Sequence, residues 1–332
     1  MALLEVTNLQ VRLQTHRGPA DAVRGISFTL ERGETIGLIG ESGCGKSITA
    51  LSLLGLLPES ALLTGSIRFD GQELVGLPDA ELCRIRGNRI GMIFQEPMTA
   101  LNPVHSIGRQ VAEPLRVHRQ LSAADARQQA IALLDRVGIA DAARRFDAYP
   151  HQFSGGQRQR VTIAMALACG PDLLIADEPT TALDVTIQQQ ILDLVSELVE
   201  ERGMALMLIS HDLGVIAQNV ERMMVMYGGS VVESGTTTEV FSGMAHPYTR
   251  GLFAARPRLG AARGARLATI AGTVPELMDL PAGCPFAGRC SYTVDRCYVT
   301  PPPPVALGGE HLARCIRLDA VLADAAIAEG AT

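Results

Sequence analysis

The sequence predicts an α/β fold in which buried strands carry polar residues to one edge of a sheet. A glycine-rich loop, Gly40–Ser47, lies between a short apolar stretch and the start of a helical pattern. Two further apolar stretches, Leu173–Ala176 and Ala205–Ile209, run directly into Asp177-Glu178 and Ser210-His211. Short apolar runs are typical of buried strands, and α/β proteins bind ligands at the carboxyl ends of such strands. We therefore expect these polar residues to share one site.

The composition excludes several classes of protein. The chain has 332 residues, of which 47% are hydrophobic, and this suffices for one large domain and a smaller one. A net charge of -6 argues against a general nucleic-acid binder, so no nucleic-acid partner is expected. No apolar run reaches the ~18 residues of a membrane span, and Met1–Glu5 lacks the features of a signal peptide. We expect a cytosolic protein that meets a membrane only through partners.

The segments around the loop predict short strands joined by turns. Leu4–Leu13 alternates loosely between apolar and polar residues, and a polar loop separates it from a second strand over Ala22–Leu30. Glu34–Ile39 is a buried strand that enters the glycine-rich loop, and Gly65–Gly71 predicts a strand that ends in an Asp-Gly turn. The region before residue 75 is therefore expected to be rich in strands.

Gly40–Ser47 fits the phosphate-binding pattern G-x-x-x-x-G-K-[S/T]. A strand, a loop and a helix in that order direct backbone N–H groups and a helix N-terminus at one point, which suits a polyphosphate. Lys46 is expected to pair with the β- and γ-phosphates, and Ser47 to offer its hydroxyl to Mg²⁺. A chance glycine-rich turn is the alternative, which the flanking strand and helix disfavour. The residues expected to contact the nucleotide are Gly40, Ser42, Gly43, Cys44, Gly45, Lys46 and Ser47.

The middle of the chain predicts another buried strand and then a helical insertion. Arg89–Phe94 is the strand, and Gln95 follows it just before a proline, where α/β proteins place ligand contacts. The pattern becomes helical and polar from Val111 to Ala148, and its clearest amphipathic helix is Ala124–Val137. We expect this insertion to separate two halves of the sheet.

Ser154-Gly155-Gly156-Gln157 predicts a capped helix start with open backbone N–H groups. Ser154 can cap the helix, and the two glycines leave its first amides accessible to an anion. Taken alone, an ordinary capped loop is the favoured interpretation of these residues.

The Asp177-Glu178 pair supplies two carboxylates at the end of a buried strand. Asp177 is expected to hold Mg²⁺ opposite Ser47, and Glu178, on the other side of the strand by alternation, to reach an attacking water. A surface turn is the alternative, which the preceding apolar strand and Pro179 disfavour.

Further along, Asp184 precedes an amphipathic helix, and His211 follows the strand Ala205–Ile209. At that position the imidazole can sense or position the γ-phosphate, although a lone His is more often a surface residue at a helix start. Met223–Tyr227 and Ser230–Glu233 predict a closing hairpin.

Taken together, these motifs resemble the ATP-binding subunit of an ATP-binding cassette (ABC) transporter over Leu3–Gly251. The matching elements, in the order of that family, are the Walker A loop Gly40–Ser47, the Q-loop Gln95, the signature Ser154–Gln157, the Walker B strand Leu173–Asp177, the general base Glu178, the D-loop acid Asp184 and the switch residue His211. The resemblance implies an α/β P-loop NTPase core, residues 1–251, with an antiparallel β subdomain and a helical subdomain at about 96–170. It also implies a small Cys-containing C-terminal extension, residues 252–332.

The resemblance further implies an ATPase that works as a head-to-tail dimer. Lys46, Gln95, Glu178 and His211 would act in hydrolysis, and Ser47, Gln95 and Asp177 would hold Mg²⁺. The signature residues and Asp184 would contact the ATP held by the other subunit. The implied partners are a second ATPase subunit (a paralogue, with an identical copy as the alternative), two transmembrane permease subunits and an extracytoplasmic substrate-binding protein. The implied location is peripheral, at the cytoplasmic face of the bacterial inner membrane.

A narrower resemblance is to the oligopeptide/dipeptide/nickel importer group. It rests on four stretches, Gln95–Pro103, Tyr149–Gln157, His246–Gly251 and Leu280–Phe286. It implies import of di- or oligopeptides, with nickel, glutathione or another small solute as the alternative cargo. A soluble ABC ATPase that acts on nucleic acid is the rival of another class. The chain departs from the family on the first strand, where Leu13 occupies the position of an adenine-stacking aromatic.

Four of the seven cysteines, Cys284, Cys290, Cys297 and Cys315, lie in the C-terminal extension. In a reducing compartment, four thiolates in a segment with a small core suit tetrahedral Zn²⁺ or an iron–sulfur cluster. The resemblance favours a [4Fe–4S] cluster, with zinc as the alternative and His311 as a reserve ligand. The other cysteines, Cys44, Cys83 and Cys169, are expected to be small fillers. Between residues 254 and 266, arginines without intervening acids predict a solvated linker, with contact to anionic lipid as the weaker alternative.

Overall fold

The computed structural model of the chain describes residues 2–181, 183–255 and 269–329. Most of the arginine-containing linker lies outside the described residues. None of the helices in the described ranges is both long and apolar enough to cross a lipid bilayer.

The strands form two sheets. In chain order they are β1 (Leu4–Thr15), β2 (Gly18–Leu30), β3 (Thr35–Ile39), β4 (Leu62–Phe69), β5 (Gln72–Glu73), β6 (Ile90–Ile93), β7 (Leu173–Asp177), β8 (Ala205–Ser210), β9 (Arg222–Tyr227), β10 (Ser230–Thr236), β11 (Val305–Gly308) and β12 (His311–Ala313). One sheet is antiparallel, with the order β2-β1-β4-β5. The other has eight strands in the order β11-β12-β10-β9-β3-β8-β7-β6, and its central strands β9, β3, β8, β7 and β6 are parallel.

The helices lie between and beside these strands. They are α1 (Lys46–Leu53), α2 (Asp79–Ile85), α3 (Pro97–Ala100), α4 (Ile107–Arg119), α5 (Ala123–Arg136), α6 (Ala142–Arg145), α7 (Gly155–Leu167), α8 (Val185–Arg202), α9 (Leu213–Asn219), α10 (Thr237–Gly243), α11 (Pro247–Ala254), α12 (Asp295–Val299) and α13 (Leu318–Glu329). Helices α3 to α7 follow β6 and precede β7, so the predicted helical insertion is present between two strands that pair with each other.

The amphipathic helix of the insertion buries most of the face that its sequence predicts. Ala130 and Leu134 of α5 are fully buried, and Val137 at its end is 1% exposed. Ala126 joins them, whereas Leu133 is only partly buried against the same core. This core continues into the parallel sheet through residues of β7 and β8, so the helical subdomain and the sheet share apolar contacts.

The first hairpin is longer than its sequence predicts. β1 and β2 pair as far as Thr15 and Gly18, through the stretch that reads as a polar loop. The Thr15 hydroxyl donates to the Gly18 carbonyl at 2.7 Å and closes a tight turn. Both faces of this end of the hairpin are largely exposed, so its residues are polar and do not alternate with apolar ones. The sequence therefore predicts a loop, although the backbone pairing continues.

The C-terminal extension is joined to the core by shared backbone pairing and by aromatic packing. β12 pairs with β10 in the large sheet, with Glu233 opposite Ala313. Phe286 of the extension packs against Tyr227 and Tyr248 with ring centroids 5.1 and 5.3 Å apart. The extension therefore lies against the strands that support the phosphate loop.

Candidate nucleotide-binding site

The glycines of Gly40–Ser47 allow a loop that an L-residue could not form. Gly43 and Gly45 have φ of 79° and 103°, in the left-handed region. A Cβ at Gly45 would also lie 2.6 Å from the Ala22 carbonyl oxygen. The chain leaves β3, turns through these glycines and enters α1 at Lys46. The predicted strand–loop–helix order is therefore present.

Lys46 is enclosed by the loop that carries it. Its ammonium donates to the carbonyl of Gly40 at 2.8 Å and to that of Glu41 at 3.2 Å, and the residue is only 5% exposed. The side chain still lines a cleft beside the loop, as do Ser42, Gly43, Gly45 and Ser47. A buried cation above a row of backbone amides makes this cleft suited to an anion.

Asp177 lies under this cleft as a buried carboxylate. It is 4% exposed, and its Oδ1 has no hydrogen-bond partner in the described part of the chain. Burial raises its pKa above the ordinary value, whereas the hydrogen bond from Ser47 acts in the opposite direction. An orphaned carboxylate oxygen in a buried position beside a hydroxyl fits a hard divalent cation. The predicted pair Asp177 and Ser47 is thus brought together.

Three side chains converge on one oxygen of Glu178. The Gln95 amide and the Thr181 hydroxyl each donate to Glu178 Oε2 at 3.0 Å, and His211 Nδ1 lies 3.3 Å from the same atom. Glu178 is 14% exposed and lines the cleft with Gln95, whereas His211 is 65% exposed. The structure therefore brings Gln95, Glu178 and His211 together beside Lys46.

The direction of Glu178 has a different cause from the one that strand alternation predicts. β7 ends at Asp177, and Glu178 has φ of 47°, in the left-handed region that non-glycine residues rarely adopt. This turn, rather than the period of two, directs the carboxylate towards Gln95 and His211. Backbone strain of this kind is concentrated at functional sites.

The signature residues and Asp184 form a second group. Ser154 Oγ accepts from the Gln157 backbone N–H at 3.4 Å, and Gln157 Oε1 accepts from the Ser154 N–H at 3.1 Å, which gives the predicted capped helix start at α7. A Cβ at Gly156 would lie 2.8 Å from Ile187 Cγ2, so this turn packs closely on α8. Asp184 Oδ1 caps α8 at 3.0 Å from the Ile187 amide. Within the described ranges, none of these residues lines the cleft beside Lys46.

Two residues of the C-terminal extension reach the phosphate loop. Leu277 lines the cleft, as does Leu13. Arg289 forms an ion pair with Glu41, the second residue of the loop. Sequence reasoning missed both, because each lies far from the loop in the chain, with Arg289 and Glu41 248 positions apart. The only local signal is a single charged residue, Arg289, between the apolar stretch Phe286–Gly288 and Cys290.

The four cysteines of the extension line one small cavity. The backbone N–H groups of Tyr292 and Arg317 donate to Cys290 Sγ at 3.4 Å and to Cys315 Sγ at 3.3 Å. Burial raises the pKa of Cys284 to about 12, so its thiol is neutral at physiological pH. Within residues 2–181, 183–255 and 269–329, no three His, Cys, Asp or Glu side chains are grouped closely enough to hold a metal ion.

His311 has a different partner from the one expected. Its Nε2 lies 2.7 Å from Glu233 Oε1, and both side chains are buried. Glu233 also accepts from the backbone N–H groups of Ala245 and His246. The expectation that His311 is a reserve ligand of the cysteines is therefore wrong, because a buried carboxylate needs this imidazole as its hydrogen-bond partner.

Two family profiles match the sequence. The profile of the ABC transporter family matches residues 23–181. The profile of the oligopeptide/dipeptide transporter C-terminal region matches residues 232–297, which include three of the four cysteines.

Curated relatives match nearly the whole chain. A protein of Brucella melitensis named "Putative peptide import ATP-binding protein" is 50% identical over 97% of this chain and 98% of its own length. The oligopeptide transport ATP-binding protein OppD of Mycobacterium tuberculosis is 49% identical over 96% of this chain, which corresponds to 52% of that protein.

Solved structures share the cassette fold. A dimeric ATP-binding cassette in a post-hydrolysis state with ADP and phosphate has a TM-score of 0.63 and 29% identity, over 70% of this chain and 98% of that one. CbiO1 of Clostridium perfringens, part of an ABC transporter complex, has a TM-score of 0.61 and 29% identity, over 73% of this chain and 92% of that one. The chain therefore belongs to the ABC transporter family and is one of its ATP-hydrolysing, ATP-binding subunits.

Proposed function

We propose that this chain hydrolyses Mg·ATP to drive the import of di- or oligopeptides through a membrane transporter. The observation that carries the hydrolytic part is the convergence of Gln95, Thr181 and His211 on Glu178 Oε2 beside the phosphate loop. The peptide cargo is supported by the names of relatives at 49–50% identity and by the C-terminal profile.

In the proposed mechanism, the loop binds the phosphates and Glu178 acts on the attacking water. Lys46 and the amides of Gly43, Cys44 and Gly45, which follow Gly40 and Ser42 in the loop, would neutralise and orient the β- and γ-phosphates. Asp177, Ser47 and Gln95 would hold Mg²⁺, which offsets phosphate charge when bound. Glu178 would accept the proton of the water as general base, and His211 would contact the γ-phosphate.

We infer that the site is completed by a second ATPase subunit. The signature residues Ser154–Gln157 and Asp184 do not line the cleft of their own chain. Ser154, Gly155 and Asp184 are exposed, and Gly156 and Gln157 are partly buried. The start of α7 offers open amides and a capping hydroxyl, which suit the γ-phosphate of an ATP held by the partner. The dimeric state of a solved cassette of the same fold supports this arrangement.

The remaining partners are proposed from the similarity of the chain to ABC transporter subunits. Two transmembrane permease subunits, an extracytoplasmic substrate-binding protein and a paralogous second ATPase would complete the importer. The chain would lie at the cytoplasmic face of the inner membrane. We also propose the division into a cassette, residues 1–251, and an extension, residues 252–332; the two matched profiles cover residues 23–181 and 232–297.

The cysteine cavity is proposed to hold a [4Fe–4S] cluster, with Zn²⁺ as the alternative. Cys284, Cys290, Cys297 and Cys315 line it, and backbone amides already donate to two of their sulfur atoms, as they do around cluster ligands. The thiols must approach one another and lose their protons when the group binds, because they are not close enough to hold a metal as they stand.

A reconstituted transporter tests the proposed function. The chain, its second ATPase and the permeases would be placed in vesicles with the substrate-binding protein and a labelled dipeptide or oligopeptide. Peptide uptake that requires ATP and is lost with Lys46→Ala is the expected result. Uptake of nickel or glutathione in place of peptides would overturn the cargo, and peptide uptake that persists with Lys46→Ala would overturn the assigned ATP site.

A further inference from the structure

The nucleotide cleft continues beyond the phosphate loop to a wall that belongs to the C-terminal extension. The cleft is lined by the polar residues Lys46, Gln95 and Glu178 and also by the aliphatic residues Leu13 and Leu277. A second cavity adjoins it and shares Ser42, Gly43 and Leu277 with it. The lining of that cavity continues along residues 274–278 of the extension on one side and along the β1–β2 hairpin on the other.

The wall segment is fixed to the hairpin by ion pairs. Arg17 Nη1 donates to Glu276 at 2.6 Å, and its two terminal nitrogens both donate to Asp279 at 2.8 Å. The Thr15 hydroxyl lies 3.6 Å from the Met278 sulfur. A bidentate guanidinium–carboxylate pair gives a defined geometry, so Leu277 is presented to the cleft in a fixed position between the two charged contacts.

We propose that Leu277 and its neighbours in residues 274–278 form, together with Leu13, the pocket for the nucleobase and ribose of the bound nucleotide. This inference rests on the proposed function, because it takes the phosphates to lie on Gly40–Ser47. Once the phosphates are held there, the rest of the nucleotide must leave the loop past Ser42 and Gly43, which both cavities share. A base presents flat apolar faces, and Leu13 and Leu277 are partly buried aliphatic side chains of the same cleft that can cover them.

The chemistry of the hairpin explains why a second wall is needed. Leu13 is aliphatic and offers no ring for stacking, and His16 beyond it is exposed. One leucine covers only part of a purine face, whereas Leu277 adds a second apolar side chain to the lining of the same cleft. The extension is thus a part of the ATP site, and a bound nucleotide would in turn hold the extension against the hairpin.

The experiment compares two ligands that share phosphates but differ in the base. Mg·ATP and Mg·tripolyphosphate would be titrated into the full-length protein by calorimetry. Leu277→Ala is expected to raise the Kd of ATP on the order of 5–20-fold, since apolar contact with the base is lost, and to change the Kd of tripolyphosphate less than about 2-fold. Leu312→Ala, an exposed leucine of the same extension outside both cavities, is the matched control and should change neither.

A second variant keeps the test decisive if Leu277→Ala folds poorly. Arg17→Gln removes the ion pairs that hold the wall and should weaken ATP, again without weakening tripolyphosphate. Equal weakening of both ligands, or an unchanged Kd for ATP in both variants, would overturn the base pocket. Loss of the assigned phosphate site is distinguishable, because wild-type affinity of Lys46→Ala for both ligands would reject the proposed function itself.

Discussion

Arg289 and Glu41 form a doubly bonded ion pair between the C-terminal extension and the phosphate loop. Two guanidinium nitrogens of Arg289 donate to the two carboxylate oxygens of Glu41 at 2.7 and 3.2 Å. Arg289 Nη1 also lies 3.2 Å from the Tyr227 hydroxyl, and the Glu41 backbone N–H donates to the Tyr248 hydroxyl at 2.8 Å. The side chain of Arg289 is only 6% exposed. The extension thus holds the Glu41 side chain through Arg289, and Tyr248 of the cassette holds the Glu41 backbone.

Replacement of Arg289 by Met is expected to leave the Glu41 carboxylate without its counter-charge near the phosphates. We expect the free energy of unfolding to fall by about 1–3 kcal/mol, because one half of a largely buried pair has been removed. The affinity for ATP should also fall, because an unpaired carboxylate repels phosphate. Urea unfolding and nucleotide titration measure the two effects.

A double variant and a control variant distinguish the effect of this ion pair from that of an exposed surface ion pair. Glu41→Gln combined with Arg289→Met should recover part of the lost stability, whereas Arg136→Met, which breaks an exposed pair with Glu201, should cost less than about 1 kcal/mol. Wild-type stability and ATP affinity of Arg289→Met would contradict the role of the ion pair.

Glu178→Gln is expected to lower kcat by ~10²–10⁴ because the amide cannot accept the proton of the attacking water. ATP binding should persist, since Lys46 and the loop amides are unchanged, and the ATP-bound variant should form a lasting dimer with the second ATPase subunit when the two are mixed. Steady-state phosphate release and size-exclusion chromatography with ATP measure both. A kcat equal to that of the wild type would refute Glu178 as the base.

Gly45→Ala is expected to abolish ATP binding. An alanine there would adopt φ of 103°, and its Cβ would lie 2.6 Å from the Ala22 carbonyl, so the loop must move. Gly71→Ala is the matched control, because Gly71 also has a positive φ of 80° but no atom within 4 Å of an added Cβ. It should cost about 1 kcal/mol of stability and leave nucleotide titration unchanged. Tight ATP binding by Gly45→Ala would contradict the close packing of the loop.

Cys284→Ser is expected to abolish the visible absorption of an iron–sulfur cluster that the wild-type protein should show after anaerobic purification. The change removes one of four ligands, whereas Cys83→Ser, an exposed cysteine outside the cavity, should leave absorption and iron content unchanged. Colourless wild-type protein with one zinc per chain would reject the cluster in favour of Zn²⁺.

The sequence predicts those parts of the site that are positioned by residues close to them in the chain. The apolar run of β7 predicts where Asp177 emerges, and the glycines of Gly40–Ser47 predict the loop, because each signal lies within a few residues of the group it positions. The left-handed turn at Glu178 could not be predicted in this way, since the residues that its carboxylate meets, Gln95 and His211, follow other strands of the sheet.

Contacts from the extension could not be predicted in this way. Leu277 meets the cleft and Arg289 meets Glu41 only after the chain has folded back from a distant segment, and neither residue carries a periodic or spacing signal. The partner of His311 was also missed. Glu233 lies on β10, whose sequence predicts a hairpin strand but gives no sign of a contact with His311, 78 positions later.

The pairing of β12 with β10 covers one edge of the large sheet's central strands. β10 contributes backbone donors and acceptors on the side away from β9, and β12 satisfies them opposite Glu233 and Ser234. A chain shortened to residue 251 would leave that strand as an open sheet edge, which is a template for pairing between molecules. We expect such a chain to aggregate, so the extension acts as a cover that keeps the cassette from growing its sheet into a neighbouring molecule.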